Sequence, residues 1–140
     1  MQTAERDKKR TARAVAVRTA TVQALVMSQH DAVRCQLVAY LSRSPGLAVS
    51  GVSFSPEAIG RASPDVVVLD LSQIGPDGLG AALAAAQAVG ARLIALASMR
   101  EPADEALVRE GGGLYLLKTA GADGLAEHVQ RLGTRPATIG

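Results

Sequence analysis

Few side chains in this sequence have both the type and the setting to do chemistry. The most suggestive are one acid and one base that each close an apolar run. Asp70 stands at the end of PDVVVLDL (64–71), and Lys118 ends LYLLK (114–118). The simplest reading of each is an ion pair between them, or for Asp70 a cap on the following loop. Two other apolar runs end in neutral residues, Ser28-Gln29 and Ala97-Ser98. His30 follows the first of these, but no Cys or second His lies near it in sequence, so a metal role is not expected. His128 falls in the last predicted helix and is expected on the surface. Cys35 is the single cysteine, which excludes an internal disulfide; its expected place is in or near the core. The glycines of GPDGLG (75–80) lack the dinucleotide-binding spacing and no Walker lysine follows, so they read as a turn, with Asp77 a cap for the next helix. No serine sits in a nucleophile-elbow pattern.

The elements that must position these residues alternate in type. Apolar runs predict strands over Val22–Met27, Leu47–Val52, Asp65–Leu71, Arg92–Ala97 and Leu114–Leu117. The three valines of the third suit a central strand covered on both faces. Helical spacing of Val33, Leu37, Tyr40 and Leu41 predicts a helix over Asp31–Ser44, stopped by Pro45-Gly46. Ser55-Pro56-Glu57 reads as a helix start with a capping serine. After a loop over Ser72–Gly78, an Ala-rich helix runs to about Val89. Glu101–Glu110, entered through Pro102 and ended by three glycines, and Ala122–Leu132 complete the set. Five strands alternating with five helices on short loops predict an α/β domain: a doubly wound, five-stranded parallel sheet in a three-layer (βα)5 sandwich. In such sheets the chemistry sits at the carboxyl ends of the strands. Those ends are Ser28, Gln29, Asp70, Ala97, Ser98 and Lys118.

Composition narrows the function classes. Aromatic residues make up 2% of the chain, too few for base stacking or a carbohydrate platform. Residues 1–20 hold six Lys or Arg against Glu5 and Asp7, while the remainder is slightly acidic. The expected organisation is a basic extension over 1–20, flexible or a frayed helix, one domain over 21–133, and a tail or linker start over 134–140. The acidic domain predicts no direct nucleic-acid binding by this chain. The absence of an apolar run long enough to span a bilayer, and of a secretory signal, predicts a cytoplasmic location without membrane attachment.

The order and spacing of these motifs resemble the receiver domain of bacterial two-component response regulators, particularly the branch joined to a LuxR/NarL-type helix-turn-helix. The resemblance covers residues 22–132. It rests on PDVVVLDL, on Gly75–Leu79 (GPDGL), on LYLLK, and on Val33-Arg34 and Pro45-Gly46-Leu47. It implies a CheY- or flavodoxin-like fold, with Asp70 at the phosphoacceptor position and Lys118, Ala97 and Ser98 at phosphoryl-contact positions. Tyr115 matches the family's switch aromatic; its plainer reading is a tyrosine packed between helices at the sheet edge.

The resemblance also shows a departure. The family holds Mg²⁺ with two acids after the first strand, and here those positions read Ser28-Gln29. Met27, Arg34 and Pro45 fix the register, so recruiting Asp31 would need an insertion. Mg²⁺ prefers carboxylates, so the expectation is weak or absent Mg²⁺ binding, no cofactor, and no enzymatic role. The expected function is an atypical receiver, a signalling and dimerisation module that controls an attached or partner transcriptional effector without Asp70 phosphorylation. The expected partners are a protein or effector domain, a second copy through a helix face, and a small ligand in the old pocket. Two alternatives stay open: a phospho-accepting receiver with a relaxed Mg²⁺ requirement, and a small-ligand-binding α/β domain.

Overall fold

A computed structural model of the chain describes residues 21–120 and 124–134. In chain order the elements are β1 (Val22–Met27), α1 (Asp31–Ser42), β2 (Leu47–Val52), α2 (Pro56–Ala62), β3 (Val66–Asp70), α3 (Pro76–Ala88), β4 (Arg92–Ala97), α4 (Pro102–Glu110), β5 (Leu114–Leu117), a 3₁₀ turn (Lys118–Ala120) and α5 (Leu125–Thr134). All neighbouring strands are parallel, in the order β2-β1-β3-β4-β5. The predicted α/β sandwich is the observed one.

Strand periodicity builds two cores. Val67, Leu69, Leu93, Ala95 and Ala97 point to one face, where α2, α3 and α4 cover them with Ile59, Leu79, Leu83 and Val108. Val66, Val68, Ile94 and Leu96 point to the other, under Leu41 of α1 and Leu125, Val129 and Leu132 of α5. Every residue of β3 is buried, as a central parallel strand requires. Fully burying each of its valines is worth about 1.5–3 kcal/mol. This rigid strand is what holds Asp70 at the carboxyl edge.

Three helices begin with proline in the first turn, at Pro56, Pro76 and Pro102, where the missing N–H costs nothing. The chain leaves α1 through Gly46 at φ 88°, a conformation open to glycine without strain.

Several sequence expectations shift. α1 ends two residues early, at Ser42, and α3 starts at Pro76, so most of GPDGLG is helix rather than turn. Gly75 is the N-cap of α3 and Asp77 lies inside the first turn, where it faces the positive end of the helix dipole instead of capping it. Ser55 does occupy the N-cap of α2, but its hydroxyl accepts no first-turn N–H and donates instead to Glu57 Oε1 at 3.2 Å. Cys35 is exposed: it lies on the outer side of α1, not in the core. α5 starts at Leu125 and runs to Thr134; the predicted start at Ala122 and the extensions over 1–20 and 135–140 lie outside the described residues. Among the described residues no helix is long and apolar enough to cross a membrane.

Candidate functional site

The carboxyl ends of β1, β3 and β5 bring Ser28, Asp70 and Lys118 together. Asp70 and Ser28 are both fully buried, the only buried polar or charged residues among those described. A buried carboxylate is costly unless it is paired and hydrogen-bonded, and Asp70 is both. Lys118 Nζ lies 2.7 Å from Asp70 Oδ1. The backbone N–H of Ser72 donates to the same oxygen at 3.1 Å. The Ser28 hydroxyl donates to Oδ2 at 2.8 Å. Lys118 Nζ donates also to Ser72 Oγ at 2.9 Å, which closes a ring of Asp70, Ser72 and Lys118, with Ser28 attached to it through Asp70.

The electrostatics follow from this geometry. Burial pushes the Asp70 carboxyl up; Lys118, the Ser72 N–H and the Ser28 hydroxyl more than offset that and leave it below its ordinary value. Asp70 is therefore a carboxylate at neutral pH, locked opposite one ammonium.

Ser28 is itself held in place. Its oxygen accepts from the His30 N–H at 3.0 Å, and its carbonyl accepts from an Arg34 guanidinium nitrogen at 2.8 Å. Arg34 also pairs with Asp31 on the same helix. His30, the residue before α1, thus contributes backbone to the site. Among the described residues no group of three or more His, Cys, Asp or Glu is arranged to hold a metal ion.

Other sequence-predicted positions stay outside the cluster. Gln29 is exposed, and its Oε1 accepts from the Phe54 N–H at 3.3 Å, which ties the β1–α1 loop to the β2–α2 loop. Ala97 is buried in the core beneath α3 and α4, and Ser98 beyond it is exposed. Tyr115 is 9% exposed, so its ring is core. Its hydroxyl accepts from the Glu101 N–H at 3.0 Å and donates to Met99 O at 3.3 Å, which fastens the β4–α4 loop to β5. His128, expected on the surface, is only partly exposed.

Two participants were not singled out from sequence. Ser72 follows Asp70 by two residues, the spacing at which an Asp side chain accepts its own loop's N–H, so turn chemistry could have flagged it. Arg34 served only to fix register; no local pattern announces its reach to the Ser28 carbonyl. The loop that carries Ser72 is strained next door: Gln73 has φ 63°, in the left-handed region.

No family model matches the chain. The transcriptional regulatory protein LiaR of Bacillus subtilis is 32% identical over 115 residues, which cover 78% of this chain and 54% of LiaR. The chain thus spans about half the length of that curated relative. Among solved structures, the signal receiver domain of NarL from Mycobacterium tuberculosis superposes with a TM-score of 0.69 at 26% identity, over 81% of this chain and 96% of that one. A LuxR-family two-component response regulator from Aurantimonas superposes with a TM-score of 0.69 at 25% identity, over 81% and 85%.

Proposed function

The chain belongs to the response-regulator family, as a receiver domain of the LuxR/NarL type, and on that premise we propose that it is an atypical receiver. It signals through protein contacts, without phosphorylation of Asp70. The observation that carries this is how Asp70, the one buried carboxylate among the described residues, is occupied: three donors hold it, one of them the Lys118 ammonium, and Oδ2 takes its hydrogen bond from the neutral Ser28 hydroxyl.

Phosphoryl transfer to an aspartate is governed by neutralisation of charge, which in this family comes from Mg²⁺. The residues present do not fit that ion. Ser28 stands at an acid position, carries no charge, and gives its proton to Asp70. Gln29 stands at the other and turns its oxygen to Phe54. One carboxylate, shared with Lys118, is left for a hard dication that needs oxygen ligands and negative charge. Ala97, at the family's hydroxyl position, offers no hydrogen bond to an incoming phosphoryl group. Tyr115 holds the β4–α4 loop in one arrangement instead of reporting an event at Asp70.

The output follows the family. The domain acts on transcription through an attached or partner effector in the cytoplasm, assembled by a helix face, and has no enzymatic role of its own. The test is incubation with Mg²⁺ and acetyl phosphate followed by intact mass. The expected spectrum is that of the unmodified chain; a stoichiometric phosphoryl adduct mapped to Asp70 overturns the reading. One observation favours the second reading, a phospho-accepting receiver with a relaxed metal requirement: Asp70 and Lys118 are both present and in contact. Tight Mg²⁺ binding in a calorimetric titration would select it.

A further inference from the structure

α1 carries Val33, Gln36, Leu37 and Tyr40 at helical spacing, a single stripe along one face. In the same helix only Leu41 is fully buried. The stripe lines a groove against the first turns of α5, at Leu125 and His128, with Leu96 and Leu116 of the sheet also in its wall. At the amino edge of the sheet α5 is tied to the turn after α1, where Gln130 Nε2 donates to Pro45 O at 2.8 Å. The groove reaches the carboxyl edge, where Lys118 lines it, and has a volume of about 430 Å³.

That volume decides what fits. It lies within the ~300–1,000 Å³ of small-molecule sites.

Of the polar groups in the wall, Gln36 and the Tyr40 hydroxyl can donate or accept, and Lys118 can only donate. Arg131, which can only donate, lies 2.9 Å from His128 Nδ1. This makes Nδ1 the acceptor and puts the proton of the neutral ring on Nε2. Lys118 uses two of its N–H groups on Asp70 and Ser72, and the third has no protein partner among the described residues. Its side chain remains 30% exposed.

We propose that the groove between α1 and α5 is a binding site for a small, mostly apolar molecule that carries one carbonyl or carboxylate acceptor. Leucines and Val33 hold the apolar body, and Lys118 and His128 Nε2 address the acceptor. The site is separate from the Asp70 cluster but shares Lys118 with it, so occupancy competes for the ammonium that Asp70 depends on. If the reading of Asp70 as unphosphorylated holds, this supplies the input that phosphorylation does not.

The test is a titration of the full chain with the aromatic sulfonate 8-anilinonaphthalene-1-sulfonate, followed by its fluorescence and by amide NMR shifts. The expected result is saturable binding to one site, with shifts on α1 and α5 and none on α3. Val33→Trp, which fills the groove from a partly exposed helix position, is expected to weaken binding at least tenfold. His128→Leu, which removes one donor, is expected to weaken it several-fold with an unchanged melting curve. Absence of saturable binding, or equal affinity in both variants with native circular dichroism, overturns the proposal. So does a wild-type dimer in sedimentation that Val33→Trp makes monomeric, because the groove then belongs to a second copy. None of these readouts depends on the phosphorylation result.

Discussion

Lys118→Met removes the ammonium from the Asp70 pair and keeps a side chain of similar length. Removing one partner of a buried pair costs about 3–5 kcal/mol, because the other charge stays buried and uncompensated. Asp70 is fully buried, but the Lys118 side chain is 30% exposed, so water can reach the gap. Ser28 and Ser72 keep their hydrogen bonds to the carboxylate. The lower end of the range applies, about 3 kcal/mol at neutral pH, or a drop in Tm of roughly 10 °C.

The pH dependence identifies the cause. In the wild type, burial raises the Asp70 carboxyl, but Lys118, Ser72 and Ser28 together hold it below its ordinary value. An acid whose folded value lies below its unfolded one stabilises the fold above the unfolded value, about pH 4, and loses that contribution as pH falls through the folded value. In Lys118→Met, burial faces two neutral donors only, and the folded value rises above the unfolded one. The ionised carboxylate is then a liability, and stability increases as pH falls from neutral toward about 4. Urea unfolding followed by far-ultraviolet circular dichroism at both pH values measures the slope. The double variant Asp70→Asn/Lys118→Met, with no buried charge left, should recover much of the loss. A Lys118→Met cost below about 1 kcal/mol at both pH values would refute the ion-pair argument.

Restoring acids with Ser28→Asp and Gln29→Asp together should create measurable Mg²⁺ affinity by calorimetry and allow an acetyl phosphate adduct; a variant that still ignores Mg²⁺ would show that the missing charge is not the obstacle. Tyr115→Phe strips an acceptor from the Glu101 N–H and a donor from Met99 O, and should cost about 1 kcal/mol in urea unfolding with faster amide exchange in residues 98–101. Gln73→Gly relieves a left-handed conformation at φ 63° and should raise stability by up to about 1 kcal/mol; a loss would mean the Gln73 side chain holds the loop.

The strands and their parallel order were legible because their causes are local. Three valines in a row and proline at three helix starts restrict the backbone within a few residues, and Gly46 after α1 permits the positive φ of the exit turn. The parallel topology then puts all strand ends on one edge, so the meeting of Ser28, Asp70 and Lys118 could be expected from residues 42 and 48 positions apart. The replacement of two acids by Ser28-Gln29 was likewise written in the sequence.

Side-chain direction at those ends was not. Gln29 and Ser28 are adjacent, yet one is fully buried on Asp70 and the other faces the Phe54 N–H, because successive residues leaving a strand point to opposite sides. Ser72 enters the cluster through a loop whose turn depends on Gln73 taking a positive φ. Cys35 was placed inside by the burial habits of cysteine, yet helical periodicity alone puts it on the side of α1 opposite Val33, Leu37 and Tyr40, so its exposure was legible in the sequence. The groove between α1 and α5 exists only in the folded chain, since two helices about ninety residues apart meet there. Sequence set which backbone each segment prefers and which charges were lost; packing of distant segments set which atoms face each other, and there the chemistry of the site is decided.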